Sequence, residues 1–429
     1  MRQAYNWPWV EAEVASTIEL WNSSAAASAP PGPQYCPEVQ SQREKAYDAA
    51  LHEVEREARR SPRTPAERLA AQRRITASFA KFSATALDLE GDATQLLTDD
   101  FLPVGTRLAR WARRFDESLA MPDIIQACRN AWTACGLQPL LGEPIGLTPS
   151  ILGYSLLYPY TDNFLDQPDV TADDKHHFSD RFRERLRGLE LPTQNRREAA
   201  LWELVSLIEG QYPRVLYPGV FDCLLAIHRA QEASIAQLNG SDPCSNAEVL
   251  QMSCAKGGTS VLADACLARG RLTPQESQFA FLWGVLLQLG DDLQDVSEDL
   301  QRGSVTLFSR AAALGTPLDP LAVQLLTFSE QVATCMDGLP HGSAMLKHLL
   351  RTSWRSLIVG AVADSHQFFT PSFVAEMDSS SPFRFAFLRA RRDRLTSRQG
   401  LYATLFEAFL EAPEDEDAGL PLPILAPLA

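Results

Sequence analysis

Four aspartates recur at helical spacing near the end of a strongly apolar segment, Phe279–Leu289. They are Asp291, Asp292, Asp295 and Asp299. At about 100° per residue in an α-helix, Asp292, Asp295 and Asp299 fall in one stripe, and Gln288 lies one turn earlier. Like charges at this spacing repel, and the repulsion grows when the carboxylates are buried. A divalent metal is the natural counter-charge because hard cations prefer carboxylate oxygens.

A second pair of aspartates, Asp162 and Asp166, ends another apolar segment that begins at Pro149. Both would lie on one helix face, with Tyr154 and Tyr158 on the turns before them. Either cluster alone could be a solvated helix end. Two such clusters on apolar helices instead favour bound metal, and neither has the glycine-bearing loop of an EF-hand calcium site.

The elements that must position these acids are helices. Thr64 and Thr273 are each followed by proline and, three positions on, by glutamate, which predicts capped helix starts. Apolar residues recur at spacings of three and four, and no run of alternating β-branched residues indicates a strand. We therefore predict an all-α bundle of ten or so helices forming a single domain over residues 42–410. Residues 1–41 are predicted to be a flexible segment, and residues 411–429 an acidic, proline-rich tail.

Composition limits the possible partners. Asp and Glu outnumber Lys and Arg by 54 to 39, giving a formal net charge of −15, which excludes a general nucleic-acid binder. The longest apolar stretch, Phe279–Leu289, is too short to span a bilayer. The eight cysteines contain no CxxC pair, and no secretory signal opens the chain, so we expect a reduced, cytoplasmic protein. An anionic substrate would require bridging metal cations.

At these residues the chain resembles a known superfamily. Gln288–Asp295 (QLGDDLQD) is similar to the second aspartate-rich motif of trans-prenyl diphosphate synthases, and Glu298–Leu307 to the segment that closes it. Lys256–Leu262 resembles the lysine-bearing kinked helix of the same enzymes, whose ammonium group binds diphosphate. Asp162–Asp166 occupies the place of their first aspartate-rich motif. The ordered resemblance runs over residues 149–310.

The resemblance implies the class I terpenoid synthase fold, a helical bundle around a deep apolar cavity. It also implies magnesium-dependent loss of diphosphate from an allylic prenyl diphosphate, with three ions and with Mn²⁺ as an alternative. The implied metal ligands are Asp162, Asp166, Asp291, Asp292, Asp295 and Asp299, and all except Asp299 are the expected catalytic residues. The expected diphosphate-binding residues are Lys256, Thr259 and Gln288. Candidate cavity residues that could stabilise an allylic cation are Tyr154, Tyr158, Phe281 and Trp283, although such aromatics are more often plain core.

Departures from the family pattern favour one branch of it. The first motif has Asp-Asn rather than Asp-Asp, and no arginine pair follows it. We therefore predict a terpene synthase, a lyase that ionises one prenyl diphosphate and then cyclises or quenches the cation. The alternatives are a prenyltransferase, either chain-elongating or head-to-head, and a non-catalytic, synthase-like partner subunit. Gly105–Arg110 faintly resembles an isopentenyl diphosphate segment, but a basic amphipathic helix explains it equally. A homodimer is left open.

Arginine-rich segments offer further diphosphate contacts, although a solvated basic face is the better interpretation of each. One comprises Arg181, Arg183, Arg185 and Arg187, and the other Arg389, Arg391, Arg392, Arg394 and Arg398.

Overall fold

The computed structural model describes residues 8–25, 32–89, 91–165, 167, 169–238 and 245–410. Within these ranges the chain is helical and contains no strand, which confirms the all-α prediction. The α-helices are α1 (Pro8–Ser24), α2 (Pro37–Arg60), α3 (Pro65–Ala86), α4 (Asp92–Gln95), α5 (Leu102–Phe115), α6 (Met121–Leu140), α7 (Pro149–Leu165), α8 (Ala172–Leu186), α9 (Arg196–Gln211), α10 (Pro218–Leu238), α11 (Asn246–Arg269), α12 (Pro274–Gln294), α13 (Val296–Arg302), α14 (Leu307–Ala313), α15 (Asp319–Asp337), α16 (Ala344–Asp364), α17 (Pro371–Ser379), α18 (Phe385–Ser397) and α19 (Gln399–Leu410). A π-helix (Leu96–Phe101) precedes α5 and a 3₁₀-helix (His366–Phe368) follows α16.

Side-chain caps fix the helix starts that the sequence predicts. Thr64 and Thr273 each accept a hydrogen bond from the backbone N–H three residues on, and the glutamate side chain there accepts one from the threonine N–H. Ser245 forms the same reciprocal box at the start of α11. Each box satisfies backbone groups that a helix end otherwise leaves unpaired. The starts of α11, which bears the lysine segment, and of α12, which bears the second aspartate cluster, are therefore fixed by residues close in sequence.

The N-terminal segment differs from the prediction. Pro8–Ser24 form helix α1, and its Val14 and Trp21 are buried in the core. The Trp21 ring meets Phe328 of α15 edge-on with 5.8 Å between ring centroids, and Gln324 donates a hydrogen bond to the Trp21 carbonyl. Helix α2 also begins at Pro37, before the predicted boundary at residue 42. The segment is structured because its few apolar residues find partners distant in sequence. Residues 1–7, 26–31 and 411–429, including the acidic tail, lie outside the described residues.

Helix α11 lies at the centre of the bundle. It packs against α12 most extensively and also against α1, α6, α7 and α10. Most of the buried apolar residues form one cluster that extends from Val14 to Phe385. Helix α11 runs from Asn246 to Arg269 and carries the lysine segment Lys256–Leu262. Most of the helices that line the cavity described below therefore pack against α11.

The arginine-rich segments are used in ion pairs between helices. Arg181 and Arg185 of α8 pair with Glu198 and Glu209 of α9. In α18, Arg391 and Arg394 pair with Asp48 and Glu55 of α2. These ion pairs link neighbouring helices, and none of the four arginines lines the cavity described below. No helix in the described part of the chain has the length and apolar character needed to cross a membrane.

Candidate functional site

A cavity of about 730 Å³ lies between α6, α7, α8, α10, α11 and α12. Both aspartate-bearing helices and the lysine helix contribute to it. Its lining residues are Gln126, Arg129, Asn130, Thr133, Tyr154, Leu157, Tyr158, Thr161, Phe182, Leu186, Leu224, Ile227, His228, Gln231, Lys256, Gly257, Ser260, Val261, Asp264, Gly284, Leu287, Gln288, Asp291, Gln294, Asp295 and Leu357. Arg129, Tyr158 and Asp291 are exposed to solvent and mark the open side, whereas Asp264 is buried.

The face of α12 that meets the cavity carries Gly284, Gln288, Asp291 and Asp295. These positions are four, three and four residues apart and follow one stripe of the helix. Partial desolvation raises the pKa of Asp291, while the nearby charges of Lys256 and Arg129 oppose this rise. Burial raises the pKa of Asp295, and the charge of Asp291 raises it further. Two carboxylates one turn apart therefore disfavour each other's ionisation at the cavity.

Asp292 is one helical position off this stripe and is not among the residues that line the cavity. Its carboxylate is buried and accepts hydrogen bonds from Gln288 Nε2 at 2.7 Å and from Ser253 Oγ at 3.0 Å. Burial raises the pKa of Asp292 to about 7, although both hydrogen bonds favour the ionised form. Asp292 thus fixes the Gln288 side chain and joins α12 to α11, and its role as a metal ligand stays a prediction.

Asp299 is separated from the other acids by a break in the helix. Asp295 has φ −94° and ψ 12°, which ends α12, and Asp299 lies on α13. Thr306 Oγ1 donates to Asp299 at 3.4 Å, and burial together with the charge of Asp295 raises the pKa of Asp299 to about 6. Across this break the charge of Asp295 still acts on Asp299, and the charge of Asp299 acts on Asp292. Asp299 is not among the residues that line the cavity.

Two cationic side chains face the same end of the cavity as Asp291. Lys256 comes from α11, as the sequence predicts, and Arg129 comes from α6. Arg129 was not predicted, although α6 carries a detectable signal. Gln126, Arg129, Asn130 and Thr133 form a polar stripe at helical spacing on a helix whose opposite face is apolar. We call Arg129, Lys256, Asp291 and Asp295 the charged end of the cavity.

The first aspartate cluster is only partly described. Tyr154 and Tyr158 of α7 line the cavity as predicted. Asp162 belongs to the last turns of α7, but its side chain lies outside the described residues, as does the whole of Asp166. Helix α7 therefore brings this end of the chain to the cavity, and the part played by the two carboxylates stays a prediction.

Three other predicted site residues belong to the core rather than to the cavity lining. The Thr259 hydroxyl is buried and donates to the Ala255 carbonyl at 2.6 Å within its own helix. The Phe281 ring packs on Gly258 at the contact between α11 and α12. Trp283 lies between Phe279 and Trp354, with 5.6 and 5.5 Å between ring centroids. Phe281 and Trp283 do not line the cavity because they lie on faces of α12 that pack against neighbouring helices.

The cavity is more polar than the resemblance implies. Leu157, Phe182, Leu224 and Ile227 form an apolar part of the wall, but Asn130, Gln231, Ser260 and Asp264 interrupt it. His228 is also buried there, with Nε2 within 3.1 Å of the Ser179 carbonyl, and burial lowers its pKa. A neutral imidazole with the proton on Nε2 satisfies this contact. The resemblance implies a deep apolar cavity, whereas the wall of this cavity contains both polar and apolar side chains.

The carboxylates at the charged end suit a magnesium ion that is shared with a ligand. Magnesium retains several waters and needs only one or two protein carboxylates when phosphate oxygens complete its coordination. Asp291 and Asp295 supply two such carboxylates. Among the described residues, no three acidic, histidine or cysteine side chains lie close enough to hold a metal by themselves. The described donors thus fit a metal that binds together with an anion.

No protein-family model matches this chain. The search of curated proteins likewise gives no match.

Proposed function

We propose that this protein is a class I terpene synthase that ionises an allylic prenyl diphosphate in a magnesium-dependent reaction. The observation that carries the proposal is the meeting of Lys256, Arg129, Asp291 and Asp295 at one end of the cavity. Cations and carboxylates on the same wall suit an anionic group that is held partly by side chains and partly through metal. A diphosphate ester has such a group at one end of a chain that the rest of the cavity can enclose.

The residues at the charged end would bind and orient the diphosphate. Lys256 and Arg129 would contact its oxygens directly, and Gln288, held by Asp292, would offer a hydrogen-bonding group beside them. Asp291 and Asp295 would hold magnesium, which when bound supplies positive charge that stabilises a diphosphate leaving group. Tyr154, Tyr158 and Phe182 would face the organic part of the substrate. The apolar side chains of the wall would limit the access of water to a cation formed beside them.

Chain elongation is the second candidate, and one observation weighs against it. An elongating enzyme must bind isopentenyl diphosphate as well as the allylic substrate. The Gly105–Arg110 segment that faintly resembles such a site lies on α5, and none of its residues lines the cavity. Arg110 is largely buried and donates to the Phe409 carbonyl of α19. That segment is thus part of the bundle's packing.

The test is product analysis with the full chain. The purified protein is incubated with magnesium and with geranyl, farnesyl or geranylgeranyl diphosphate, each with and without isopentenyl diphosphate. We expect a hydrocarbon or alcohol product from one allylic diphosphate alone. A longer diphosphate that forms only when isopentenyl diphosphate is present would assign elongation instead. A lack of turnover in every mixture would favour the non-catalytic subunit.

Matched variants connect the product to the proposed site. Asp295→Asn and Lys256→Met should each lower turnover by about a hundredfold, because each removes charge that stabilises the departing diphosphate. Asp100→Asn and Lys81→Met are the controls, since both residues are exposed and neither lines the cavity. Equal losses in a control and its partner variant would argue against the site.

A further inference from the structure

The buried wall of the cavity carries a hydrogen-bonded polar group that the proposed ionisation does not use. Asp264 lies on α11 eight residues beyond Lys256, which places it about 12 Å along the helix axis from the charged end. Its exposed fraction is 1%. Asn130 Nδ2 donates to Asp264 Oδ1 at 3.1 Å and to Ser155 Oγ at 3.1 Å. Both Asn130 and Asp264 line the cavity.

This arrangement determines where the Asp264 proton lies. Burial raises the pKa of the Asp264 carboxyl well above its usual range, which favours the uncharged acid. Oδ1 already accepts a hydrogen bond from Asn130, so the proton belongs on Oδ2. The described residues give Oδ2 no hydrogen-bond partner. Asp264 therefore offers an O–H donor to whatever occupies the cavity.

A hydrocarbon chain would leave this donor unpaired. An unsatisfied buried donor is costly, whereas a ligand oxygen at the same place would pair it. Sites built around a buried hydrogen-bonding group discriminate strongly against ligands that lack the matching group. A side chain that served only to tie α6, α7 and α11 together would be expected to use both of its oxygens between helices.

We propose that Asp264 donates a hydrogen bond to an oxygen in the chain of the bound molecule. The preferred ligand is then a diphosphate ester with a hydroxyl, ether or carbonyl oxygen, rather than an all-hydrocarbon prenyl chain. The diphosphate end of this inference rests on the proposed function. The oxygen-selecting end rests on Asp264 and Asn130 alone.

The test measures binding without turnover. Saturated alkyl diphosphates lack the allylic double bond and cannot ionise in the proposed way. A series of increasing chain length, with terminal methyl, hydroxyl or methoxy groups, is titrated calorimetrically into the full chain with magnesium. At one chain length the hydroxyl and methoxy compounds should bind about tenfold more tightly than the methyl compound. Equal affinities at every length would overturn the inference.

Two variants separate hydrogen bonding from packing. Asp264→Leu should abolish the advantage of the oxygenated ligands. Asp264→Asn should keep it, because an amide N–H₂ can replace the acid O–H while its carbonyl still accepts from Asn130. An advantage that survives in Asp264→Leu would assign the selectivity to another group. Thermal unfolding of each variant identifies any loss of folding.

A second readout does not depend on the diphosphate site. The infrared C=O band of the protonated carboxyl, identified by its loss in Asp264→Leu, should shift when 1-octanol is added and should not shift with octane. If no alkyl diphosphate binds, the proposed function fails, and this band alone decides whether Asp264 meets a ligand oxygen. An unshifted band would overturn the inference. A failed product assay with a positive oxygen preference would overturn only the terpene synthase proposal.

Discussion

Gly257 of α11 and Gly284 of α12 lie backbone to backbone where the two helices cross. A Cβ atom added to Gly257 would lie 2.6 Å from the Gly284 carbonyl oxygen, and one added to Gly284 would lie closer still to the Gly257 carbonyl. Real Cβ atoms do not approach a carbonyl oxygen so closely. Lys256 is adjacent to one glycine and Gln288 is one turn from the other. The glycine contact therefore brings the charged residues of both helices to the same cavity.

Gly284→Ala should force α11 and α12 apart. We expect the free energy of unfolding to fall by about 1–3 kcal/mol, as for other overpacked contacts, and diphosphate binding to weaken with it. The measurements are urea unfolding and calorimetric titration of an alkyl diphosphate. Gly360→Ala is the matched control: a Cβ there meets no atom within 4 Å, and alanine favours the helix. Unchanged stability in Gly284→Ala would contradict the close packing.

Asp292 and Asp295 should have separable effects. Asp292→Leu removes the acceptor for Gln288 Nε2 and Ser253 Oγ and should cost about 2 kcal/mol of unfolding free energy. Asp292→Asn keeps an acceptor oxygen and should retain most of that stability. Asp295→Asn should instead leave stability nearly unchanged and lower turnover. Denaturant unfolding compared with product formation distinguishes the two roles, and a stability loss confined to Asp295→Asn would reverse the assignment.

Glu55 should make the bundle sensitive to acid. Arg394 donates to both Glu55 carboxylate oxygens at 2.9 and 2.8 Å, and Tyr402 donates at 3.0 Å. Arg398 and, at 3.3 Å, Arg59 also donate to this carboxylate. The hydrogen bond from Arg394 is the largest influence that lowers the pKa of Glu55 to about 2, against burial. The lowered pKa stabilises the folded state above the ordinary value of 4.5, and this contribution is lost as pH falls from 4.5 towards 2.

The Glu55→Gln variant tests this contribution. At neutral pH it should lower the free energy of unfolding by about 3 kcal/mol, because the arginines lose their charged partner. The deficit should shrink in acid as the wild-type carboxylate is protonated. Urea unfolding over a pH series measures both effects, and Glu117→Gln, at an exposed position, is the control. A deficit that does not vary with pH would show that charge is not its cause.

Trp21 should contribute to stability although it lies in the segment that the sequence predicts to be flexible. Its side chain is 3% exposed and packs on Phe328. Trp21→Ala should cost about 3–5 kcal/mol, as for other large buried aromatics. Trp9→Ala, at a side chain that is 36% exposed in the same helix, should cost much less. Thermal and denaturant unfolding provide the comparison, and equal losses would place α1 outside the cooperative core.

Local chemistry accounts for what the sequence predicts correctly. The capping boxes at Thr64 and Thr273 involve residues three apart, so the starts of α3 and α12 are readable from the chain alone. The same holds for the all-helical class, because a spacing of three and four between apolar residues is a property of single helices. Tyr154 and Tyr158, which helical periodicity places one turn apart on α7, line the cavity, and so does Lys256, which the resemblance singles out.

The remaining features depend on contacts between distant segments. Asp291 rather than Asp292 lines the cavity because the glycine contact sets the rotation of α12 against α11. The spacing of residues in the sequence does not specify this rotation. Trp21 finds Phe328 some three hundred residues away, and Arg129 meets the charge of Asp291 from another helix. By itself, the sequence determined which residues could do chemistry and which helices carry them. Only the tertiary structure decided which of those side chains share a cavity, because the rotation and crossing of helices result from packing over the whole core.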